Sequence, residues 1–554
     1  MTRDRKPPSP QPSPTRGEGD VYLSPRGRGR AEGAGEGATV PRAFAASAAR
    51  YAHRVAVRTE DGRTLTYADL DALRWQATRA LMALGVAPGD RVAVWAPNCV
   101  EWIVAGLAIH SAGAALVPVN TRMKGPEAAY VLEKSGARVL FCAGDFIGSH
   151  YPSLLGSHRP GNVAHVVVMR DARAGDFAWA DFLSRASEVT ADAAHARADA
   201  VKPDDRMDIM FTSGTTGSPK GVVTVHSQNL RVIADWSRAM GLVPEDQYLI
   251  VNPFFHSFGY KVGWLGGLLA GLTVLPHAVF DAKAVMARIP RDRVSVLPGP
   301  PTLFISLLND ADRSQYDLST LRATITGAAA IAPALIERIR AELGFKIVLT
   351  GYGLTETCGV VSLCEPGDDA QTIALTSGKA IPDIEVRCVD ADNREVARGE
   401  SGEIVVRGYN VMQGYLDDPE ETREAIDADG WLHTGDIGIM DARGYLRITD
   451  RLKDMYIAGG FNCYPAEIER TIAAHPAVAQ VAVIGVPDER LGEVGKAFLV
   501  LRPGGRLENA EFIAWCREQM ANYKVPRTVE VVASLPTNPS GKVLKYQLRK
   551  STAR

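Results

Sequence analysis

The chain has 554 residues, a formal net charge of −2 and an apolar fraction of 46%. That length accommodates more than one domain, and the near-neutral charge balance argues against a nucleic-acid partner. Seven scattered cysteines with no C-x-x-C pair argue against a zinc site or a disulfide framework and fit a reducing cytoplasm.

Residues 1–39 are rich in Pro, Ser, Arg and Gly, with Tyr22 as the only aromatic. Such a stretch cannot bury enough surface to offset its ordering entropy. It has basic residues but no apolar central run, so it is not a secretory signal. It is expected to be a disordered tail or to precede the true start of translation. From Val40 the pattern becomes periodic: a helix over 44–51, strands over 55–58 and 64–67 around Asp61-Gly62, and a helix opening at 67–70 with Asp69 near its start. A buried strand over 91–96 leads into a helix from about Cys99. The apolar stretch 100–119 carries Glu101, His110 and Pro118, and 263–279 is short and glycine-rich, so neither reads as the ~20 apolar residues of a membrane span. Strand and helix alternate to about residue 350, the pattern of wound α/β layers.

After residue 370 the texture changes to short strands (384–389, 402–407, 445–449) between Gly and Asp turns. A second α/β unit then follows, with helices over 465–473 and 508–520 and strands over 478–485 and 496–501. The expected fold class is multi-domain α/β: 40–451 as a large domain of wound layers plus a small β-barrel, and 452–554 as a small α+β domain.

The densest chemistry lies in Asp208-Ile-Met-Phe-Thr212-Ser213-Gly214-Thr215-Thr216-Gly217-Ser-Pro-Lys220-Gly. An apolar run breaks into glycines, hydroxyl residues and a lysine. Glycines let backbone N–H groups approach an anion, hydroxyls add donors, and Lys220 adds charge, so the stretch reads as a polyphosphate grip. The plainer alternative is a flexible surface loop. The P-loop pattern G-x-x-x-x-G-K-[ST] is not met, because Pro219 precedes the lysine and Gly221 follows it. What the stretch resembles is the signature loop of adenylate-forming enzymes, the superfamily of acyl-CoA synthetases, peptide-synthetase adenylation domains and firefly luciferase.

Further motifs follow in the order that resemblance requires. Gly351-Tyr352-Gly353-Leu354-Thr355-Glu356-Thr357 comes after a strand-like run, which puts it at a sheet's carboxyl edge, where α/β folds bind ligands. The resemblance implies that Tyr352 stacks on adenine, Thr355 meets phosphate and Glu356 holds Mg²⁺, a cation that takes hard oxygen ligands. It gives Asp436 of His433-Thr-Gly-Asp both ribose hydroxyls, which suits an acceptor-only carboxylate. It gives Arg451 the ribose and phosphate, Lys453 the hinge between domains, and Gly459-Gly460 the edge of the pantetheine tunnel. Lys542 of Pro536-Thr-Asn-Pro-Ser-Gly-Lys would contact the substrate carboxylate and α-phosphate, stabilising charge that grows in the transition state.

By the same resemblance Asn252–Gly263 forms the acyl and pantetheine walls, with His256 at the catalytic edge and Phe258, Lys261, Val262 and Pro300 in the substrate pocket. Gly327 and the small residues after it would leave room beside the adenylate. Lys261 is unusual there: it either pairs structurally or meets a polar group on the acid. The stretches NPFFHSFGYKVG, VLPGPPT and ITDRLKDMYIAGGFNCYPAEIE resemble steroid-catabolic acyl-CoA synthetases, whose acid (HIP) is a propanoate on the last two rings of a degraded steroid. The chain is thus expected to be an ATP-dependent acid–CoA ligase using ATP, Mg²⁺ and coenzyme A on a hydrophobic carboxylic acid. The alternatives are a medium- or long-chain fatty acyl-CoA synthetase and a non-catalytic adenylate-binding module. A cytoplasmic location without an integral membrane span is expected, and a homodimer is left open.

Overall fold

The computed structural model describes residues 37–212, 219–327, 331–451, 454–458, 461–463, 465–488, 491–520, 522–537 and 543–552. Two mainly parallel sheets form the layers of the large domain. The first has eight strands in the order Gly414–Tyr415, Lys220–Val225, Arg206–Thr212, Ala115–Pro118, Arg91–Trp95, Val139–Cys142, His165–Val168 and Phe177–Ala178. From Arg206 outward its pairs are parallel, whereas the Arg206–Thr212/Lys220–Val225 hairpin is antiparallel. In the second sheet Gln247–Ile250, Thr273–Pro276 and Val55–Arg58 run parallel, and single bridges through Val296 join them to the parallel pair Ala323–Thr326 and Ile347–Tyr352.

The helix Val100–Ser111 buries every residue except Glu101. A helix that is apolar all round must lie between layers. Asn98, just before it, donates to the Ile250 and Asn252 carbonyls of the second sheet, while the helix itself packs on strands of the first. The helix His226–Ala239 sits in the same layer, where Trp236 stacks on Tyr248. The stretch 100–119 is therefore a buried helix and strand, as expected, and no helix among the described residues is long and apolar enough to cross a membrane.

The helix Tyr67–Ala83 starts as its sequence predicts. Thr66 accepts from the Asp69 amide at 3.1 Å and the Asp69 carboxylate accepts from the Thr66 amide at 2.9 Å, a reciprocal capping box. The first helix begins earlier than expected, at Val40, and Ala38 and Thr39, assigned above to the tail, are buried. All seven cysteines are buried and none is in a disulfide.

The strands expected after residue 370 form a four-stranded antiparallel sheet, Ile384–Val389, Ser401–Gly408, Leu432–Met440 and Leu446–Arg451. The last segment has its own sheet of Phe461–Cys463, Tyr456–Ala458, Gly492–Leu501, Val478–Asp488 and Thr528–Val531. It also has its own core, in which Ile468 and Ile472 of the helix Pro465–Ala473 meet Phe512 and Cys516 of the helix Asn509–Gln519.

His226 carries a pH dependence. It is buried, and its Nδ1 accepts from the Val40 amide at 3.3 Å, which requires a neutral ring. Burial lowers its pKa from 6.5 to about 4. Between those values the unfolded chain binds the proton that the fold refuses, so stability is complete at neutral pH and is lost as pH falls below 6.5. Urea unfolding should show a loss of about 2 kcal/mol between pH 7 and pH 5 from this residue. His226→Gln should flatten that slope, and an unchanged slope would refute the assignment.

Candidate active site

The parallel strands of the second sheet deliver the predicted residues to one edge. Gly327 follows Ala323–Thr326, and Tyr352 and Gly353 end or follow Ile347–Tyr352. A Cβ at Gly327 would lie 3.4 Å from the Gly351 carbonyl, so the two chain ends are neighbours. Gly353 is required where it stands, because a Cβ would come within 2.2 Å of the Gly359 carbonyl oxygen. Thr355 and Glu356 lie half-buried on the single helical turn Thr355–Thr357.

Two tyrosines organise the carboxylates. The Tyr352 hydroxyl donates to Asp436 Oδ2 at 2.6 Å, joining the expected adenine and ribose contacts. The Tyr415 hydroxyl donates to Glu356 Oε1 at 3.1 Å, and burial together with the neighbouring Glu356 charge pushes its pKa up, so it stays a donor. Asp436 is 4% exposed, and its backbone register partner on the next strand is Arg451.

Thr212 and Lys220 are partners at the mouth of the hairpin that holds residues 213–218. The Lys220 ammonium pairs with Glu421 and lies 5.1 Å from the centre of the Tyr415 ring. Ser213, Gly214, Thr215, Thr216 and Gly217 lie outside the described residues, as do Lys453, Gly459, Gly460 and Lys542.

On the acyl side, Asn98 also accepts from the Phe254 amide at 2.8 Å and so fixes the turn that starts the wall. His256 caps the short helix Ser257–Gly259 by accepting from the Phe258 amide at 3.2 Å. His256 is open to solvent, yet protein encloses it on enough sides to lower its pKa below the ordinary imidazole value. Phe258 and Pro300 are half-buried, and Val262 is 3% exposed. Lys261 departs from the pocket expectation. It is fully buried, 3.2 Å from Asp208 Oδ2, so the geometry favours the structural alternative.

Sequence reasoning missed Asn98, Tyr415 and Glu421. The only local signal for the last two is Gly414-Tyr415 followed by Asp418-Pro419, which caps and opens the helix Pro419–Ala425.

The site has a buried carboxylate suited to ribose hydroxyls, a second carboxylate held by a phenol, and a cation at the mouth of the hairpin. Residues 44–416 match the family described as AMP-binding enzyme, and residues 467–542 match the AMP-binding enzyme C-terminal domain. The chain belongs to the AMP-binding enzyme family. It is an AMP-forming acyl-CoA synthetase, similar over 92% of its length to two bacterial ligases. One, from Rhodococcus jostii (strain RHA1), is 51% identical and covered over 98% of its length; it is named 3-[(3aS,4S,7aS)-7a-methyl-1,5-dioxo-octahydro-1H-inden-4-yl]propanoyl:CoA ligase. Its namesake from Mycobacterium tuberculosis (strain ATCC 25618 / H37Rv) is 50% identical, also covered over 98%. Among solved structures, the anthranilate CoA ligase AuaEII in complex with anthranoyl-AMP superposes with a TM-score of 0.84 at 28% identity, covering 93% of this chain and 98% of that one.

Tyr352→Phe keeps the synthetase's ring and removes its bond to Asp436. A hydrogen bond to a charged acceptor contributes about 1.5–3 kcal/mol, so the KM for ATP should rise by about tenfold or more with kcat little changed. Steady-state kinetics at saturating acid would measure this, and an unaltered KM would exclude the coupling.

Proposed function

We propose that the synthetase activates a bicyclic, steroid-derived propanoic acid (HIP) as its CoA thioester. The observation that carries this reading is the 50–51% identity, over 92% of the chain, to the two indenyl-propanoate ligases. Residues 40–451 are the adenylation domain and 452–554 the lid.

In the first half-reaction a carboxylate oxygen of the acid attacks the α-phosphorus of ATP, forming acyl-AMP and releasing pyrophosphate. Lys220 and the 212–217 loop take the phosphates, Asp436 and Arg451 the ribose, Tyr352 and Gly327 the adenine, and Lys542 the charge growing on the α-phosphate. Glu356 fits a single-carboxylate site for Mg²⁺: a half-buried hard oxygen donor beside Thr355, oriented by Tyr415. Mg²⁺ held there would supply charge neutralisation on the phosphates. In the second half-reaction the lid turns about Lys453, Lys542 withdraws, and Gly459-Gly460 faces the site past His256. The CoA thiol attacks the acyl carbonyl, and AMP leaves with the carboxylate oxygen. One site thus runs two steps by exchanging the residues that face it.

The test is CoA- and ATP-dependent AMP formation with bicyclic steroid-derived propanoates beside fatty acids of graded length. A preference for the bicyclic acid is expected. A preference for straight chains would replace this reading with a medium- or long-chain fatty acyl-CoA synthetase. A chain that releases no pyrophosphate with any acid would be the non-catalytic module.

A further inference from the structure

Lys261 and Asp208 are both fully buried. The Lys261 ammonium lies 3.2 Å from Asp208 Oδ2 and donates to Thr224 Oγ1 at 3.2 Å. Thr224 donates its own hydrogen to Asp208 Oδ1 at 2.7 Å and accepts a second bond from Asn229 Nδ2 at 2.9 Å. The hydroxyl thereby uses its one donor and both acceptor sites.

These residues belong to separate working segments. Asp208 and Thr224 are register partners on the two strands of the hairpin that ends in the phosphate grip. Lys261 lies on the π-helical turn Tyr260–Leu265, which continues the acyl wall from His256 and Phe258. Single π turns inside helices often mark functional positions. Cys358, directly behind Thr355–Thr357, has its thiol against Thr224 and its backbone at φ 55°, a conformation uncommon outside glycine. Ser257 of the wall meets the same turn from the other side, 3.2 Å from where a Cβ on Gly359 would stand. One buried charge pair therefore sits where the phosphate hairpin, the acyl wall and the Glu356 turn converge.

Stability does not account for the pair. Desolvating two charges costs several kcal/mol each, and well-packed apolar groups of similar size often serve as well or better. What the pair adds is a fixed geometry: an apolar contact between hairpin and wall can slide, whereas an ammonium bound to two oxygens cannot. We propose that Lys261 is a positioning residue for adenylation, holding the phosphate hairpin against the acyl wall through Asp208 and Thr224. This rests on the reading of residues 212–220 as the phosphate grip. Lys261 does not touch the acid; its ammonium is spent on protein oxygens. The acid carboxylate and the α-phosphorus ride on the two bodies it joins, and a misplacement of about 1 Å between reacting atoms can cost ~100-fold in rate. Thioester formation starts from acyl-AMP, whose phosphate is already joined to the acyl group, and so escapes this requirement.

The experiment compares the full-length wild type, Lys261→Met and the double variant Lys261→Met/Asp208→Asn. Pyrophosphate release is read with bicyclic and straight-chain acids, thioester formation with supplied acyl-AMP, and thermal stability alongside. Lys261→Met should slow pyrophosphate release by about 100-fold for both acid classes and leave thioester formation within about threefold. The double variant removes both charges and keeps an acceptor for Thr224. It should regain the stability lost by the single variant but not its adenylation rate. If Lys261→Met does not fold, the double variant carries the same comparison of half-reactions. Equal loss in both half-reactions, or recovery of stability and adenylation together in the double variant, would reduce the pair to a structural one. Loss confined to the bicyclic acid would make Lys261 a substrate contact. A wild type that releases no pyrophosphate with any acid would overturn this proposal together with the proposed function, whereas a normal wild type isolates the fate of Lys261.

Discussion

Lys542→Ala should abolish acyl-AMP formation, by about 10²–10³-fold or more, while leaving thioester formation from supplied acyl-AMP nearly intact. The magnitude is that of removing one preorganised donor aimed at charge that develops in a transition state. The residues flanking Lys542 bear on why the proposed role would be confined to one half-reaction. Thr537 and Val543 form an antiparallel bridge, and the Leu544 amide donates to the Pro536 carbonyl at 2.8 Å, so the residues on either side of 538–542 are bonded to each other. The helix Lys545–Thr552 follows at once. Lys545 pairs with Glu469 at 2.8 Å, and Glu469 also accepts from the Val483 amide at 2.7 Å. Arg549 donates to Asp454 at 2.8 Å, tying the helix to the residue after the expected hinge lysine. The residues on both sides of 538–542 are therefore tied to the body of the last segment, and in the proposed two-step reading a turn of that segment would carry Lys542 with it. Separate assays of pyrophosphate release and of thioester formation measure the split, and equal losses in both would remove Lys542 from this role.

Glu356→Gln should cut adenylation by about 10²-fold, a loss of ~2.7 kcal/mol in transition-state stabilisation, and raise the Mg²⁺ concentration needed for half-maximal rate. The amide keeps size and an acceptor for Tyr415 but loses the charge that a hard dication requires. Tyr415→Phe is the graded companion. It leaves the carboxylate and removes only the phenol that orients it at 3.1 Å, so its loss should be smaller and should not change the cation requirement as strongly. Mg²⁺ titrations of both variants would measure this. A Glu356→Gln enzyme with unchanged Mg²⁺ dependence would place the cation elsewhere.

What could be read from the chain divides by distance in sequence. The strand Ile384–Val389 and the helix Pro465–Ala473 match their expected limits, because each is specified by its own periodicity. The turn 351–357 was legible because glycine, tyrosine and acid stand together. Tyr415 was not, since its partner Glu356 is 59 positions away, and the Lys220–Glu421 pair spans 201. Lys261 was legible as an anomaly with two readings, a structural pair or a contact with the acid, and nothing local to decide between them. Its partners Asp208 and Thr224 lie on the hairpin, and only the stacking of the wall on that hairpin reveals that a charge in an apolar segment is neutralised. Ala38 and Thr39 were assigned to the tail because composition averages over a window, whereas their burial is decided by the helix they precede.

The seven buried cysteines have a practical corollary. Thiolate, not thiol, reacts with maleimides and aromatic disulfides. Burial pushes Cys388 and Cys516 up to about 11, Cys358 up to about 12, and Cys99 and Cys142 higher still. In the native enzyme such reagents will therefore report the thiol of coenzyme A against a silent protein background. A single cysteine introduced at an exposed position on each domain, Ile147 and Tyr546 for example, would carry the only reactive labels. Distances between two such labels would test whether the last segment turns as proposed, without the removal of any native cysteine.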